Sequence, residues 1–169
     1  NVICEKPVMM NSTELAEVME TARQCGKVFT VHQNRRWDRD YLLVKRELES
    51  GTLGKPFFIE SRVEGARGIP GDWRCTKVAG GGMMLDWGVH LIDQMLMMID
   101  SPVSEIYAQV LNVKYQNPEN DVDDNLKINM KFKNGVCAMI EVGTYNMLTL
   151  PRWYVCGDKG TMKIDDWGS

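Results

Sequence analysis

Between Leu126 and Val142 the chain alternates so regularly that few structures accommodate it. Leu126, Ile128, Met130 and Phe132 are apolar with polar residues between them, a period of two that buries one face of a strand and wets the other. Val136, Ala138, Ile140 and Val142 return the same spacing after Lys133-Asn134-Gly135. A two-residue turn at Asn134-Gly135 would set Ile128 against Glu141. A type I turn closed by a glycine bulge pairs Phe132 with Val136, Met130 with Ala138, Ile128 with Ile140 and Leu126 with Val142. The bulged hairpin is the expected register, because it keeps all eight apolar residues on one face.

Such a face needs a cover, and the rest of the chain supplies strands and helices. Asn11 with Glu14 forms a capping box, Leu15, Val18, Met19, Ala22 and Cys25 give a buried stripe, and Gly26 stops the helix. The apolar start of the chain and Lys27–His32 read as strands on either side. A second helix runs from Asp38, its cap, to Ser50, with Gly51 as its stop. Strands are expected at Phe57–Glu64 and from Val103 to Val113, followed by an acidic, polar loop from Asn117 to Asp124. Arg152–Cys156 and Met162–Ile164 pair around a turn at Gly157 to Gly160. Consecutive antiparallel strands with helices on one side describe an α+β fold built on an open, mostly antiparallel sheet.

Gly80-Gly81-Gly82 leads into a helix that carries a proton-handling pair. Leu85, Val89, Ile92, Leu96 and Ile99 draw an apolar stripe expected to face the core. Asp86 and His90, four residues apart, share another face, where the carboxylate could orient the imidazole. The three glycines would let another molecule approach the backbone. A structural ion pair is the competing reading. A metal site is disfavoured, since zinc takes three or four protein ligands and His32, the other of the two histidines, stands alone. Met83, Met84, Met95, Met97 and Met98 suit adaptable packing.

The formal net charge of −3 gives no electrostatic reason to expect nucleic acid or anionic membrane. No apolar run approaches the roughly 20 residues that span a bilayer. Five cysteines, scattered and odd in number, read as reduced thiols of a cytoplasmic protein.

Three segments in register carry a resemblance: Glu5-Lys6-Pro7 after an apolar run, Asp86-x-Gly88-x-His90-x-x-Asp93 after the glycines, and Gly157-Asp158-Lys159-Gly160-Thr161 late in the chain. In their order and spacing the chain resembles, end to end, the glucose-fructose oxidoreductase and inositol dehydrogenase (Gfo/Idh/MocA) family. The resemblance implies an NAD- or NADP-dependent dehydrogenase of a sugar, inositol or related polyol, with a substrate domain resembling that of glyceraldehyde-3-phosphate dehydrogenase. It implies that residues 1–32 are the last strand, helix and strand of a Rossmann domain and that residues 33–169 are the substrate-binding and oligomerisation domain. The chain has no Gly-x-Gly-x-x-Gly, so the resemblance also implies a fragment that begins late in the nucleotide-binding half and stops before the second domain ends.

The family's catalytic positions fall on Lys6, Asp86 and His90. On this reading His90 takes the hydroxyl proton, Asp86 fixes its tautomer, and Lys6 stabilises the charge developing on oxygen. Glu5, Lys6, Pro7, Trp73 and Arg74 would meet the cofactor, with a cis bond before Pro7. Asn34, Arg35, Asp86 and His90 would meet the substrate, although Arg35 is equally suited to a salt bridge with Asp38 or Asp40. No metal is expected. A homo-oligomer, dimer or tetramer, is expected through the sheet face. Two alternatives stand beside this reading: a family offshoot that cleaves glycosidic bonds by transient oxidation with held NAD, and a noncatalytic sheet module.

Overall fold

The computed structural model describes residues 1–114 and 122–167, so most of the expected Asn117–Asp124 loop lies outside the described residues. Strand β1 (Val2–Cys4) pairs in parallel with β2 (Phe29–Val31) across helix α1 (Ser12–Gln24). Asn11 caps the helix as expected, its Oδ1 accepting from the Glu14 amide at 2.9 Å. Glu14 reaches back one residue past the cap, to the Met10 amide at 3.2 Å, and not to the Asn11 amide of a standard capping box. The expected buried stripe on α1 does not form. None of its residues is buried, and Met19 is 57% exposed. A two-stranded sheet is too narrow to cover that face.

A turn of 3-10 helix at Asn34–Trp37, unanticipated from the sequence, leads into helix α2 (Arg39–Glu49), which starts after Asp38 and stops at Gly51 in the left-handed region. The main sheet has six strands in the order β4 (Val103–Leu111), β5 (Asn125–Phe132), β6 (Cys137–Gly143), β3 (Pro56–Glu64), β7 (Trp153–Gly157) and β8 (Thr161–Ile164). Four of its pairings are antiparallel; β3 and β6 run parallel. The hairpin takes the bulged register, with Leu126 opposite Val142, Ile128 opposite Ile140 and Met130 opposite Ala138. Gly135, at φ +91°, supplies the bulge, and the Phe132 amide donates to the Val136 carbonyl at 2.8 Å.

Helix α2 and helix α3 (Val89–Met98) lie on one face of this sheet. Tyr41 and Val44 of α2 and Leu91 and Met95 of α3 are buried in one core with Ile59, Ile128, Ile140 and Val155. Cross-strand partners share a face, so Tyr107, Asn129, Met139, Glu60 and Tyr154 form a row on the opposite, outer side. The expected stripe on the third helix is corrected. Leu96 is 51% exposed, whereas Leu91 and Met95 are fully buried. The segment is apolar nearly all round, and Met84–Gly88 forms a π-helical turn whose wider winding rotates everything after it.

One buried ion pair ties α2 to the sheet. Asp40 Oδ2 accepts from Trp153 Nε1 at 2.7 Å and lies 3.0 Å from Arg152 Nε. Arg152 also donates through Nη1 to Ser61 Oγ and to the Arg62 carbonyl, and its guanidinium lies between the rings of Trp153 and Trp167. Burial pushes the Arg152 guanidinium down to about 10, against the opposing pull of Asp40. Among the described residues no helix is long and apolar enough to cross a membrane.

Candidate active site

The site is assembled from four parts of the chain: the turn after β1, the segment between β2 and α2, the loop that carries Arg74, and the π-helical turn with the start of α3. Lys6, with a cis peptide bond to Pro7, reaches the π-helical turn, where Nζ donates to Asp86 Oδ1 at 2.8 Å and to the Asp86 carbonyl at 2.6 Å. The other carboxylate oxygen, Oδ2, accepts from Arg74 Nε at 3.0 Å, and Arg74 is held in turn by Asp72 at 2.6 Å. Asp86 is thus clamped between two cations.

The glycines act within the chain, contrary to the expectation that they admit another molecule. A Cβ on Gly81 would lie 2.4 Å from the Arg74 carbonyl oxygen, and one on Gly82 would lie 2.3 Å from Asp123 Oδ1. The bare Gly81 lets the Arg74 loop fold onto the helix start, where the Gly82 amide donates to the Arg74 carbonyl at 2.9 Å, and the bare Gly82 makes room for Asp123. Asp123 accepts from the Met84 amide at 2.6 Å, satisfying a backbone donor at the head of the π-helical turn.

His90 lies one turn beyond Asp86 and is 4% exposed. Asp86 does not hold it, which corrects the expected pair. Gln33 does: its Oε1 accepts from His90 Nδ1 at 3.1 Å. An amide oxygen only accepts, so Nδ1 carries the ring proton and Nε2 keeps a lone pair. Nε2 has no hydrogen-bond partner among the described residues. Burial, then the charges of Lys6 and Arg35, push the imidazole down to about 4 against the pull of Asp86, so the ring is neutral at neutral pH. The ordinary imidazole value of roughly 6.5 does not apply here.

The remaining expected residues divide. Arg35 is engaged by the protein: it lies 4.7 Å from the Trp87 ring, 5.6 Å from Trp167, and 3.5 Å from Asp38. Trp87 meets the His90 ring edge-on at 5.9 Å. Asn34 is exposed beside this group, and Trp73 is half-exposed beneath the Arg74 guanidinium at 4.7 Å. Glu5 is exposed, with a hydrogen bond from His32 holding its carboxyl below the ordinary value. Asp93 forms a two-pronged salt bridge to Arg36 at 2.6 and 2.7 Å, fastening the 3-10 turn to α3. Gln33, Trp87 and Trp167 were missed as site residues. Gln33 stands directly before the Asn34-Arg35 pair, but a glutamine alone carries no chemical signature.

Beside this cluster opens a cleft of about 390 Å³ whose lining includes Asp86, Trp87, Arg67 and Thr144. Among the described residues no group of three metal-binding side chains occurs.

Residues 41–163 match the GFO/IDH/MocA C-terminal domain. The chain is 28% identical over 143 residues to the myo-inositol 2-dehydrogenase of Thermotoga maritima, covering 83% of this chain and 42% of that protein. It is 30% identical over 104 residues to the D-glucoside 3-dehydrogenase of Escherichia coli, covering 60% of this chain and 30% of that protein. Among solved structures, an NAD-binding protein from Listeria innocua superposes with a TM-score of 0.93 at 50% identity, over 99% of this chain and 47% of that one. The chain spans less than half the length of these relatives. A matched domain, a shared fold and a lysine, an aspartate and a histidine gathered at one place agree: the chain belongs to the GFO/IDH/MocA family.

Proposed function

We propose that the protein is an oxidoreductase that moves a hydride between a hydroxyl-bearing carbon of a sugar, inositol or related polyol and NAD or NADP. The observation that carries this reading is the Lys6–Asp86 pair set one helical turn from His90, a neutral histidine whose Nε2 is free to take a proton. The relatives' names, inositol and glucoside dehydrogenases, support the substrate class.

The nicotinamide ring, when bound, supplies the acceptor for the hydride that leaves carbon. Everything else falls to this chain. As hydride departs, the hydroxyl becomes strongly acidic, so even a weakly basic imidazole receives its proton at Nε2. Lys6, fixed by two oxygens of Asp86, places positive charge where the oxygen turns negative, without reorganising. The residues fit one end of the dinucleotide. Lys6 is 14% exposed at its side chain, with Glu5 and Trp73 more open nearby, but no Gly-x-Gly-x-x-Gly is present to cradle a pyrophosphate. Glu5, Lys6, Pro7, Trp73 and Arg74 would hold the nicotinamide end, on residues 1–32 and the loop that faces them.

The test is an absorbance assay on the full-length protein with NAD or NADP and a panel of polyols including myo-inositol and glucosides. Reduced nicotinamide should form in step with ketone. Sugar release without net cofactor reduction would replace this reading with a glycosidic one, and no reaction with either cofactor would end it.

We further propose that the outer face of the sheet, with Tyr107 62% and Tyr154 36% exposed, packs against a second copy. Sedimentation should give the mass of a dimer or tetramer; a monomer at every concentration refutes it. The five cysteines are free, which suits a reducing cytoplasm, the proposed setting.

A further inference from the structure

The cleft beside Asp86 carries three charged side chains, and only one of them is uncommitted. Asp86 is neutralised by Lys6 and Arg74. Glu64 accepts from Asn146 Nδ2 at 2.9 Å and from the Leu150 amide at 2.7 Å. Arg67 has neither an ion pair nor a hydrogen bond from its side chain among the described residues, although it lines the same space. The walls are otherwise largely apolar: Val63, Ala66, Pro70, Met83, Trp87 and Val142. The Thr144 hydroxyl, in a residue 7% exposed that also lines the cleft, has no hydrogen-bond partner among the described residues.

Arg67 is not on a loose loop. The Gly65 amide donates to the Gly143 carbonyl at 2.8 Å, the Gly68 amide to the Thr144 carbonyl at 2.9 Å, and the Asn146 amide returns to the Gly65 carbonyl at 2.9 Å. These bonds fasten the turn on both sides of Arg67 to the end of β6. Gly68, at φ +78°, makes the sharp bend that a residue with a side chain would resist. The backbone therefore holds Arg67 in the lining of a cleft that also includes the Lys6-bound Asp86.

We propose that Arg67 grips a carboxylate of the substrate, so that the preferred substrate is an acidic sugar or cyclitol. The inference rests on the dehydrogenase reading for the reaction but not for the binding. A guanidinium meets a carboxylate with two parallel hydrogen bonds. One uncommitted cation matches one negative charge. A phosphate dianion would call for a second, and Lys6 and Arg74 are already balanced by Asp86 and Asp72.

The experiment compares D-glucuronate with D-glucose on the full-length protein, using calorimetry for binding and steady-state kinetics for turnover, in wild type, Arg67→Met and Arg67→Lys. Arg67→Met should raise Kd and KM for glucuronate about tenfold or more, with kcat within about twofold and glucose unaffected, because an exposed charge-assisted pair is removed. Arg67→Lys should recover part of the loss. Equal effects on both sugars, or none on either, overturn the proposal. So does stronger competition by glucose 6-phosphate than by glucuronate. Arg67-dependent glucuronate binding with no hydride transfer would leave this site standing and remove the proposed reaction. Turnover of neutral polyols with Arg67-independent glucuronate binding would do the reverse.

Discussion

Replacing Lys6 with methionine in the full-length protein is expected to lower turnover by about a hundredfold or more, the loss typical of removing one preorganised charge from a reacting oxygen. Methionine keeps the length and apolar stem of lysine and removes only the ammonium. Asp86 retains Arg74 at 3.0 Å, so the helix start keeps its clamp and thermal unfolding should shift little. A second readout separates chemistry from structure. Burial first, and the Lys6 charge second, hold His90 down at about 4. Without the ammonium, a protonated ring no longer meets that repulsion, so the His90 value should rise from about 4 towards its ordinary range while burial keeps it below.

The linkage follows in sign. A histidine whose folded value is depressed stabilises the fold fully above its unfolded value of roughly 6.5, and loses that contribution as pH falls through the folded value. The variant should therefore lose less stability than wild type between neutral pH and pH about 4. Ring-proton NMR titration measures the shift directly. Turnover within about threefold of wild type would make Lys6 a structural residue only, and an unmoved His90 titration would show that the two side chains do not sense each other.

The hairpin was legible in the sequence to the residue because alternation and turn chemistry constrain each other there. A slip of one position would have put Ile128 against Glu141, and the chain has the glycine that avoids it. The α3 face was not legible. With Met84, Leu85, Trp87, Val89, Leu91, Ile92, Met95 and Leu96 all apolar, several stripes fit equally, and a π-helical turn cannot be read from periodicity. The parallel pairing of β3 with β6 depends on elements far apart in the chain, which local patterns do not report.

At the site, residue types were easier to read than partnerships. Spacing put Asp86 and His90 on one side of a helix, and both are buried there. Spacing could not show that Lys6, eighty residues away in sequence, takes the carboxylate first, nor that Gln33 takes the imidazole. A carboxylate offered an ammonium and a guanidinium gains more from those two full charges than from a neutral ring. The same competition explains the glycines. Gly81 leaves room for the Arg74 loop that carries a cation to Asp86, and Gly82 leaves room for Asp123.

The largest loss of stability is expected from Asp40→Ala, about 3–5 kcal/mol, because it removes the counter-charge in contact with the buried Arg152 guanidinium and leaves only the more distant pull of Asp38. The side chains of Arg152 and Asp40 are 3% and 2% exposed, so the guanidinium left behind is cut off from bulk solvent. Trp153 Nε1 loses its acceptor at the same time. By contrast the exposed pair of Arg23 and Glu20 on α1, 74% and 47% exposed, is screened by solvent and should matter little. Urea unfolding followed by tryptophan fluorescence measures both, and Asp40→Ala should lower the midpoint without changing the slope. Replacing both partners, Asp40→Leu with Arg152→Met, removes the stranded charge and should recover much of the loss, since apolar groups of similar size often substitute for a buried pair. If Asp40→Ala instead loses less than about 1 kcal/mol, the contact between α2 and β7 is held by packing of Tyr41, Val44 and Trp153, and the ion pair adds little to it.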